Sequence, residues 1–386
     1  MTSRHIAIVG SGALARALGH SLAALAPFHP PGGPDVPVAV TLLARDGAAV
    51  AELARTCRSR AAISGNRVSF TAEPLTDEVE ALDRLRPDVL VCCASAQSPY
   101  ERVAAPSAWT SLIAEAGFGV TLPLQATLAV RLARAVARVS PGTRFVNGAF
   151  PDVVNPLLAA LDLPVLCGIG NVATLAACLR ATLGLAAGDR LAMLGHHVHL
   201  VAPADPDDEV RAWSNGAPVT GVGSLLAADR ALPRRELNAV AGHAAARMLL
   251  DFVTGTEIRT NLPGPMGLPG GYPVRISAGT IDLDLPAGLT RTAAVDWNLR
   301  VGRRDGVQVV DGRIGYPPSA AAAIAAHLPD IADGWPPSAL DQVSQELTAL
   351  RRRLRLAPPA PTAPAPAGLT KETRCRPLHH SSTPAT

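Results

Sequence analysis

The chain has 386 residues, 48% of them apolar and 17% charged, with a formal net charge of +3. That length holds a large core in two domains, or in one α/β unit with an elaborated second half, and the apolar content excludes a disordered protein. The small, dispersed charge forms no basic stripe interleaved with aromatics, so nucleic acid is not an expected partner; no run is long and apolar enough to span a membrane.

The sequence enters a strand at once, without the basic-then-apolar layout of a signal peptide, so a cytoplasmic protein is expected. Its cysteines, Cys57, Cys92, Cys93, Cys167, Cys178 and Cys375, lie mostly in apolar runs and form no C-x-x-C pair. They read as reduced core thiols, and no metal site is expected. The only lysine is Lys371, so the positive charge is almost all arginine. Such Ala- and Arg-rich usage fits a GC-rich bacterial genome, and it removes lysine chemistry from the body of the chain.

Ile6-Ala7-Ile8-Val9 is short, apolar and largely β-branched, as a strand covered on both faces must be, and Gly10-Ser11-Gly12 stops it. Leu14, Ala17, Leu18, Ser21, Leu22 and Leu25 then recur at helical spacing. In the order G-x-G-x-x-A the first Gly permits a tight turn, the second lets backbone N–H groups approach a pyrophosphate, and Ala15 lets the helix pack close to the strand. Gly10, Ser11, Gly12, Ala13 and Leu14 are therefore the predicted dinucleotide loop, with the anion at the helix N-terminus. A purely structural glycine turn is the alternative.

After a Pro/Gly-rich loop at 29–37, a strand is predicted at 38–43, so the chain opens β-α-β. That strand runs out into Ala44, where an acid would hold the ribose hydroxyls of NAD, and Arg45, which can meet the extra phosphate of NADP. NADP is the predicted cofactor and NAD the second choice, since Asp46 could still turn inward; the bland reading of Arg45 is a solvated turn residue. A helix at 48–54 and strands at 66–70 and 89–94 follow. Ligands of doubly wound sheets lie beyond the carboxyl ends of the strands, so Ala94 and Ser95, opening the polar loop 95–101, should face the nicotinamide half. Then come a helix at 122–139, a strand at 143–147 ending in Asn147, a helix at 153–161, a strand at 165–168 and a helix at 172–183.

From Leu191 the pattern changes, with strand-like segments at 191–202 and 218–225, a helix at 233–253, strands at 274–285, 293–300 and 307–310, and a helix at 337–354. The Gly/Pro-rich stretch 261–273 reads as a lid or substrate loop, or as a rigid connector. The predicted class is α/β, an N-terminal Rossmann doubly wound parallel sheet (1–165) with an α+β second domain (166–356) and a disordered Pro-rich tail (357–386).

Leu194-Gly195-His196-His197-Val198-His199-Leu200 carries three of the ten histidines. In an extended strand His197 and His199 share one face. They could hold a metal, but no carboxylate or Cys stands at ligand spacing; one could exchange a proton beside a nicotinamide; or all are packing residues. Arg211 and Trp213 offer an anion contact and an apolar wall, or surface and packing roles.

In order and spacing, these pieces from Ile6 to about Leu354 are similar to the lactate/malate dehydrogenase superfamily. The similar stretches begin with Gly10 to Ala15, Asp88 to Ala96, and Pro141 to Asn147 with Pro151-Asp152. Arg180 to Gly184, Gly195 to His199, Val210 to Ser214, and the turn Val301-Gly302-Arg303-Arg304-Asp305-Gly306-Val307 continue the series. The resemblance implies that His197 is the acid/base, that Asn147 helps seat the nicotinamide and the reacting oxygen, and that Arg102 is a mobile-loop arginine. A small-molecule substrate and a homo-oligomer, dimer or tetramer, are expected. The family pairs its His with an Asp and clamps the substrate carboxylate with an Arg on the helix before the His box. Here that helix has no Asp, and the Arg position is Cys178 or, with a shift, Arg180. Another acceptor, a backbone carbonyl or an Asp such as Asp152, must then fix the His197 tautomer, with its pKa less raised than a carboxylate partner would make it. Arg180, His199 and Trp213 are the predicted substrate-side residues. The predicted function is an NADP(H)-dependent oxidoreductase reducing a C=O or C=N bond of a small metabolite. Two alternatives stand beside it. One is an NAD- and metal-dependent glycosidase-like enzyme with Cys167 or Cys178 and His197 or His199 as ligands; the other is a non-catalytic dinucleotide-binding protein.

Overall fold

Parallel strands β1 (Arg4–Val9), β2 (Val38–Ala44), β3 (Val68–Pro74), β4 (Val89–Cys92), β5 (Arg144–Asn147) and β6 (Cys167–Gly168) make one sheet in the order β3-β2-β1-β4-β5-β6. The structure is a computed structural model and describes residues 3–25 and 36–360. Helices cover both faces, which is why the strands are almost wholly apolar. Ile6 and Ile8 face Leu18 and Leu22 of the helix Ala13–Ala24, while Ala7 and Val9 share the opposite core with Val130 and Ala133 of the helix Leu122–Val139. Ile6 stands beside Val40 on one side and Val89 on the other, so the strand order reverses about β1, and a crevice opens beyond the carboxyl ends of β1 and β4.

The second half is α+β. The long helix Arg234–Thr254 packs along Ala13–Ala24, and behind it lie two small antiparallel sheets, Leu191–Leu194 with Arg211–Ser214 and Ala217–Pro218, and Ile258–Pro263 with Gly271–Ser277 and Thr280–Leu283. The terminal helix Leu340–Arg355 returns to the first half, where the Ser344 and Thr127 hydroxyls meet at 3.0 Å.

Several expectations are corrected. The strand expected at 191–202 stops at Leu194, and the histidines sit in the 3-10 turn His197–Leu200. The shared face of His197 and His199 goes with it. The segment 293–300 is not a strand but part of the helix Arg291–Gly302, whose buried Ala294, Trp297, Asn298 and Val301 are spaced three, four and seven apart. The stretch 261–273 is no lid, because Asn261, Leu262 and Pro263 pair with Pro273, Tyr272 and Gly271 in a hairpin. Of the strand expected at 218–225, only Ala217–Pro218 is extended, and Val222–Leu225 is a helical turn. The helix expected at 48–54 runs Gly47–Ile63. The described cysteines are free, and burial pushes the Cys167 thiol up to about 12. Cys375, Lys371 and the tail from 361 lie outside the described residues, as does most of the 29–37 loop. Among the described residues no helix is long and apolar enough to cross a membrane.

Candidate active site

A cleft of about 1300 Å³ occupies the crevice and extends to the His turn. Gly10, Ser11, Gly12, Ala13, Leu14, Arg45, Ala94 and Ser95 all line it. Gly10 has φ +135°, and a Cβ added there would stand 3.0 Å from the Cys93 carbonyl, so only glycine lets the turn pass this close to β4. Gly12 caps Ala13–Ala24 without a side chain, and a Cβ on it would meet nothing within 4 Å. First-turn N–H groups of that helix are thus open to a ligand anion, and the loop fits a pyrophosphate. At the end of β2, Asp46 is the N-cap of Gly47–Ile63 and accepts from the Ala49 N–H at 3.0 Å. Its Oδ1 serves the helix, and Arg45 and Asp46 are both exposed and line the cleft.

Asn147 does not reach the cleft. Its buried amide accepts from the Ala149 N–H at 2.9 Å and donates to Ala149 O and Asn155 Oδ1 at 3.0 and 2.9 Å. The expected nicotinamide contact is replaced by a structural one, in which Asn147 shapes the turn through Gly148, Ala149 and Phe150 that does line the cleft.

The His turn follows β-strand Leu191–Leu194, and its three histidines have three different environments. The Asp305 Oδ1 accepts from His197 Nδ1–H at 2.8 Å, a carboxylate being acceptor only, so Nε2 remains free on a ring that lines the cleft. Asp305 is 3% exposed and the His197 side chain 25%. Burial lowers the pKa of the His197 imidazolium, but the Asp305 charge and hydrogen bond, with Asp152 behind them, raise it above its ordinary value. The same ion pair holds the Asp305 carboxyl below the usual range against its burial. Asp152, the second residue of helix Pro151–Ala160, accepts from the His197 backbone N–H at 3.0 Å. The acceptor that fixes the ring is therefore Asp305, and Asp152 anchors the backbone. Phe118 and Phe150 stand 5.4 Å from the His197 ring, and Phe150 takes a left-handed φ of +47°, a strained choice for a non-glycine residue. Gly306, with φ +82°, lets the Asp305 turn dock on the 116–117 backbone: a Cβ there would fall 2.1 Å from the Ala116 carbonyl oxygen.

His196 is buried with Nδ1 3.4 Å from Asp305 Oδ2 and 3.9 Å from Asp152 Oδ1. His199 is fully buried, accepts from the His196 N–H at 2.9 Å, donates to the Asp208 carbonyl at 2.7 Å and stacks on Trp297. It touches no part of the cleft, which removes it from the substrate side. Arg180 is also spent elsewhere, donating to the Ala186 carbonyl at 2.6 Å and to that of Asp189. Arg102 is exposed on the short helix Glu101–Ala104, outside the cleft lining, and Trp213 lines a separate shallow groove with Arg211. Asp305, Phe118, Asn171 and Arg234 are cleft or pair residues that the sequence reading did not single out as functional. The signal for Asp305 was present in the Arg304-Asp305-Gly306 turn, which marks a sharp reversal but names no partner.

Among the described residues no group of three or more His, Cys, Asp or Glu is placed to hold a metal ion. Cys167 lies in β6 and Cys178 faces Asp229, so neither forms a ligand set with His197 or His199. The non-catalytic alternative rested on a missing Asp and a missing Arg; Asp305 stands on His197, while Arg180 is spent on the Ala186 and Asp189 carbonyls.

No protein-family model matches the sequence, and no curated protein matches it. Solved structures do. The apo malate dehydrogenase from Picrophilus torridus superposes with a TM-score of 0.54 at 13% identity, covering 79% of this chain and 97% of that one. The malate dehydrogenase from Naegleria fowleri gives 0.50 at 15% identity, covering 79% and 98%. With its strand order, its switch-point cleft and its His turn, this chain has the lactate/malate dehydrogenase fold in a divergent form.

Proposed function

We propose that the protein is a nicotinamide-dinucleotide oxidoreductase that reduces a C=O or C=N bond of a small metabolite, with His197 as proton donor and Asp305 as its partner. One observation carries the reading: a buried Asp–His pair opens, through Nε2, into a cleft of dinucleotide size at the switch point of the sheet. The malate dehydrogenases that share the fold support it.

The residues divide the work by place. Gly10 to Leu14 would hold the pyrophosphate on open backbone N–H groups, and Ala94, Ser95 and the Gly148 turn would wall the nicotinamide end. Bound there, the dinucleotide supplies the hydride. Arg45, exposed at the end of β2, would meet a ribose phosphate, so NADPH is the proposed form. His197 keeps Nδ1–H on Asp305 and delivers the Nε2 proton to the heteroatom as charge develops on it. Phe118 and Phe150 narrow the access of water to the ring.

The pH dependence follows from the raised His197 pKa. Reduction needs the imidazolium, so it runs below that pKa and fails as pH rises through it, at a midpoint above 6.5. The test is titration of the full-length protein with NADPH and NADH, followed by pH profiles on a panel of carbonyl and imine compounds. Absence of binding to either dinucleotide overturns the reading.

A further inference from the structure

We infer that His196 is a positioning residue for the proton donor: it shares the Asp305 carboxylate with His197, one ring to each oxygen, so that the two histidines take up and release protons as one coupled unit. This rests on the oxidoreductase reading and adds to it a residue that lines no part of the cleft.

Asp305 Oδ1 is occupied by His197 Nδ1–H at 2.8 Å. Its Oδ2, buried and without a hydrogen-bond partner among the described residues, stands 3.4 Å from His196 Nδ1. Asp152 closes the cluster. Its Oδ1 accepts from the His197 N–H at 3.0 Å and lies 3.9 Å from the same His196 Nδ1, while its Oδ2 is also buried and unpartnered. On the far side the ring is wedged against Gly302, where a Cβ would fall 2.9 Å from His196 Nε2. The titratable groups around it come from four elements. Asp152 belongs to the helix Pro151–Ala160, Asp305 to the turn Arg303–Asp305 with the Arg304 charge beside it, and His197 and His199 to its own turn. His199 is neutral, because burial pulls its pKa down to about 4. On the strand Gly271–Ser277, burial pushes the Tyr272 phenol well up, so it faces Asp152 uncharged.

Two buried carboxylates and one imidazolium leave a net negative charge out of water, which is costly unless a second donor meets it. His196 is placed to be that donor, and its Nδ1 has a partner in either state. Neutral, it accepts from the Val198 N–H at 3.4 Å; protonated, it directs Nδ1–H at Asp305 Oδ2. A proton on either ring draws the Asp305 charge away from the other, so the two titrate as a pair. When His197 passes its Nε2 proton to the heteroatom, it becomes neutral and keeps Nδ1–H on Oδ1. His196 on Oδ2 then holds the carboxylate in place, and its charge makes His197 the stronger acid.

The test follows the histidine ring resonances of full-length protein carrying isotope-labelled histidine through a pH titration, with and without saturating NADPH, the two rings being assigned by His196→Asn and His197→Asn. In wild type the His197 signal should move in two steps, and the His196 signal should share both. His196→Asn keeps an amide near the Nδ1 position but no charge, so His197 should then titrate in one step with proton affinity about tenfold higher. The pH midpoint of reduction should rise with it, and NADPH affinity should stay unchanged. A His196→Asn protein that loses stability while the His197 midpoint stays put makes His196 a packing residue and overturns the inference. So does a one-step His197 titration in wild type, which needs no variant to fold. Failure of wild type to bind NADPH overturns the oxidoreductase reading, and with it the role of the pair in a reaction; NADPH binding with uncoupled histidines overturns this inference alone.

Discussion

The two ends of the cleft are built in opposite ways. The end proposed for the dinucleotide is made from short contiguous stretches, Gly10 to Leu14, Ala44 to Asp46 and Cys93 to Ser98, each at the carboxyl end of a strand. The chemical end is made from residues far apart: Asp305 is 108 positions from His197, and Asp152 is 45. A phosphate loop is a backbone object, so strand, turn and helix specify it together. A proton donor is a side-chain pair, and any carboxylate the fold brings near serves. The Asp missing from the helix before the His turn is answered by Asp305, which reaches the His197 ring from another element.

The largest expected effect tests the chemical end directly. His197→Asn removes the proposed proton donor and should lower turnover by about 10²–10⁴-fold, the usual share of general acid catalysis, with NADPH affinity unchanged. A parallel loss of NADPH binding would mean that the two ends are not separable. Stopped-flow reduction and fluorescence titration on one preparation decide it.

Asp305→Asn should cost less turnover, on the order of tenfold, since the ring stays and only its orientation and basicity suffer. The pH profile is the sharper readout. With the carboxylate gone, burial and the Arg234 charge are opposed by Asp152 alone, so the midpoint should move down. Stability moves as well. The raised His197 pKa stabilises the fold fully below 6.5 and loses that contribution as pH rises through the folded value; the lowered Asp305 pKa stabilises above 3.8 and loses it as pH falls. Wild type and variant should therefore differ most in melting temperature between those two pH values. An unchanged midpoint would assign the titration to another group.

The same contrast explains what the sequence made legible. The helix Leu122–Val139 and the strand-turn-helix at Gly10 were readable because period and turn chemistry agree with the tertiary fold. Ala293 to Arg300 was misread because a small-residue helix with polar Asp296 and Asn298 inside it weakens the helical stripe. The hairpin through Asn261 and Pro273 looked like a loop because its glycines and prolines, which make its turn, resemble linker composition. Asn147 was located correctly on its strand, but which way its amide points depends on Asn155, a partner that spacing does not reveal.

At the dinucleotide end, Arg45→Ala should weaken NADPH on the order of tenfold while leaving NADH almost untouched, because the lost contact is to the phosphate alone. Equal loss for both dinucleotides, or a wild-type preference for NADH, contradicts NADPH as the cofactor.

His199 gives the smallest effect on turnover and the cleanest control. It sits two residues from His197 in the same turn, yet burial, assisted by the neighbouring His196 and Arg230 charges, pulls its pKa down to about 4, so it is neutral throughout the working range. Its ring bridges the His196 N–H and the Asp208 carbonyl and stacks on Trp297 at 5.5 Å, which is a packing role. His199→Asn should therefore cost about 1–3 kcal/mol of stability through the unpaired partners it leaves. Turnover should stay within a few-fold, because the turn still hangs from Asp152 and the ring of His197 still rests on Asp305. The pH midpoint should not move at all. If it moves with His199→Asn and stays fixed with Asp305→Asn, the proton passes through the buried histidine, and the division between a backbone-built end and a side-chain-built end has to be redrawn around the turn itself.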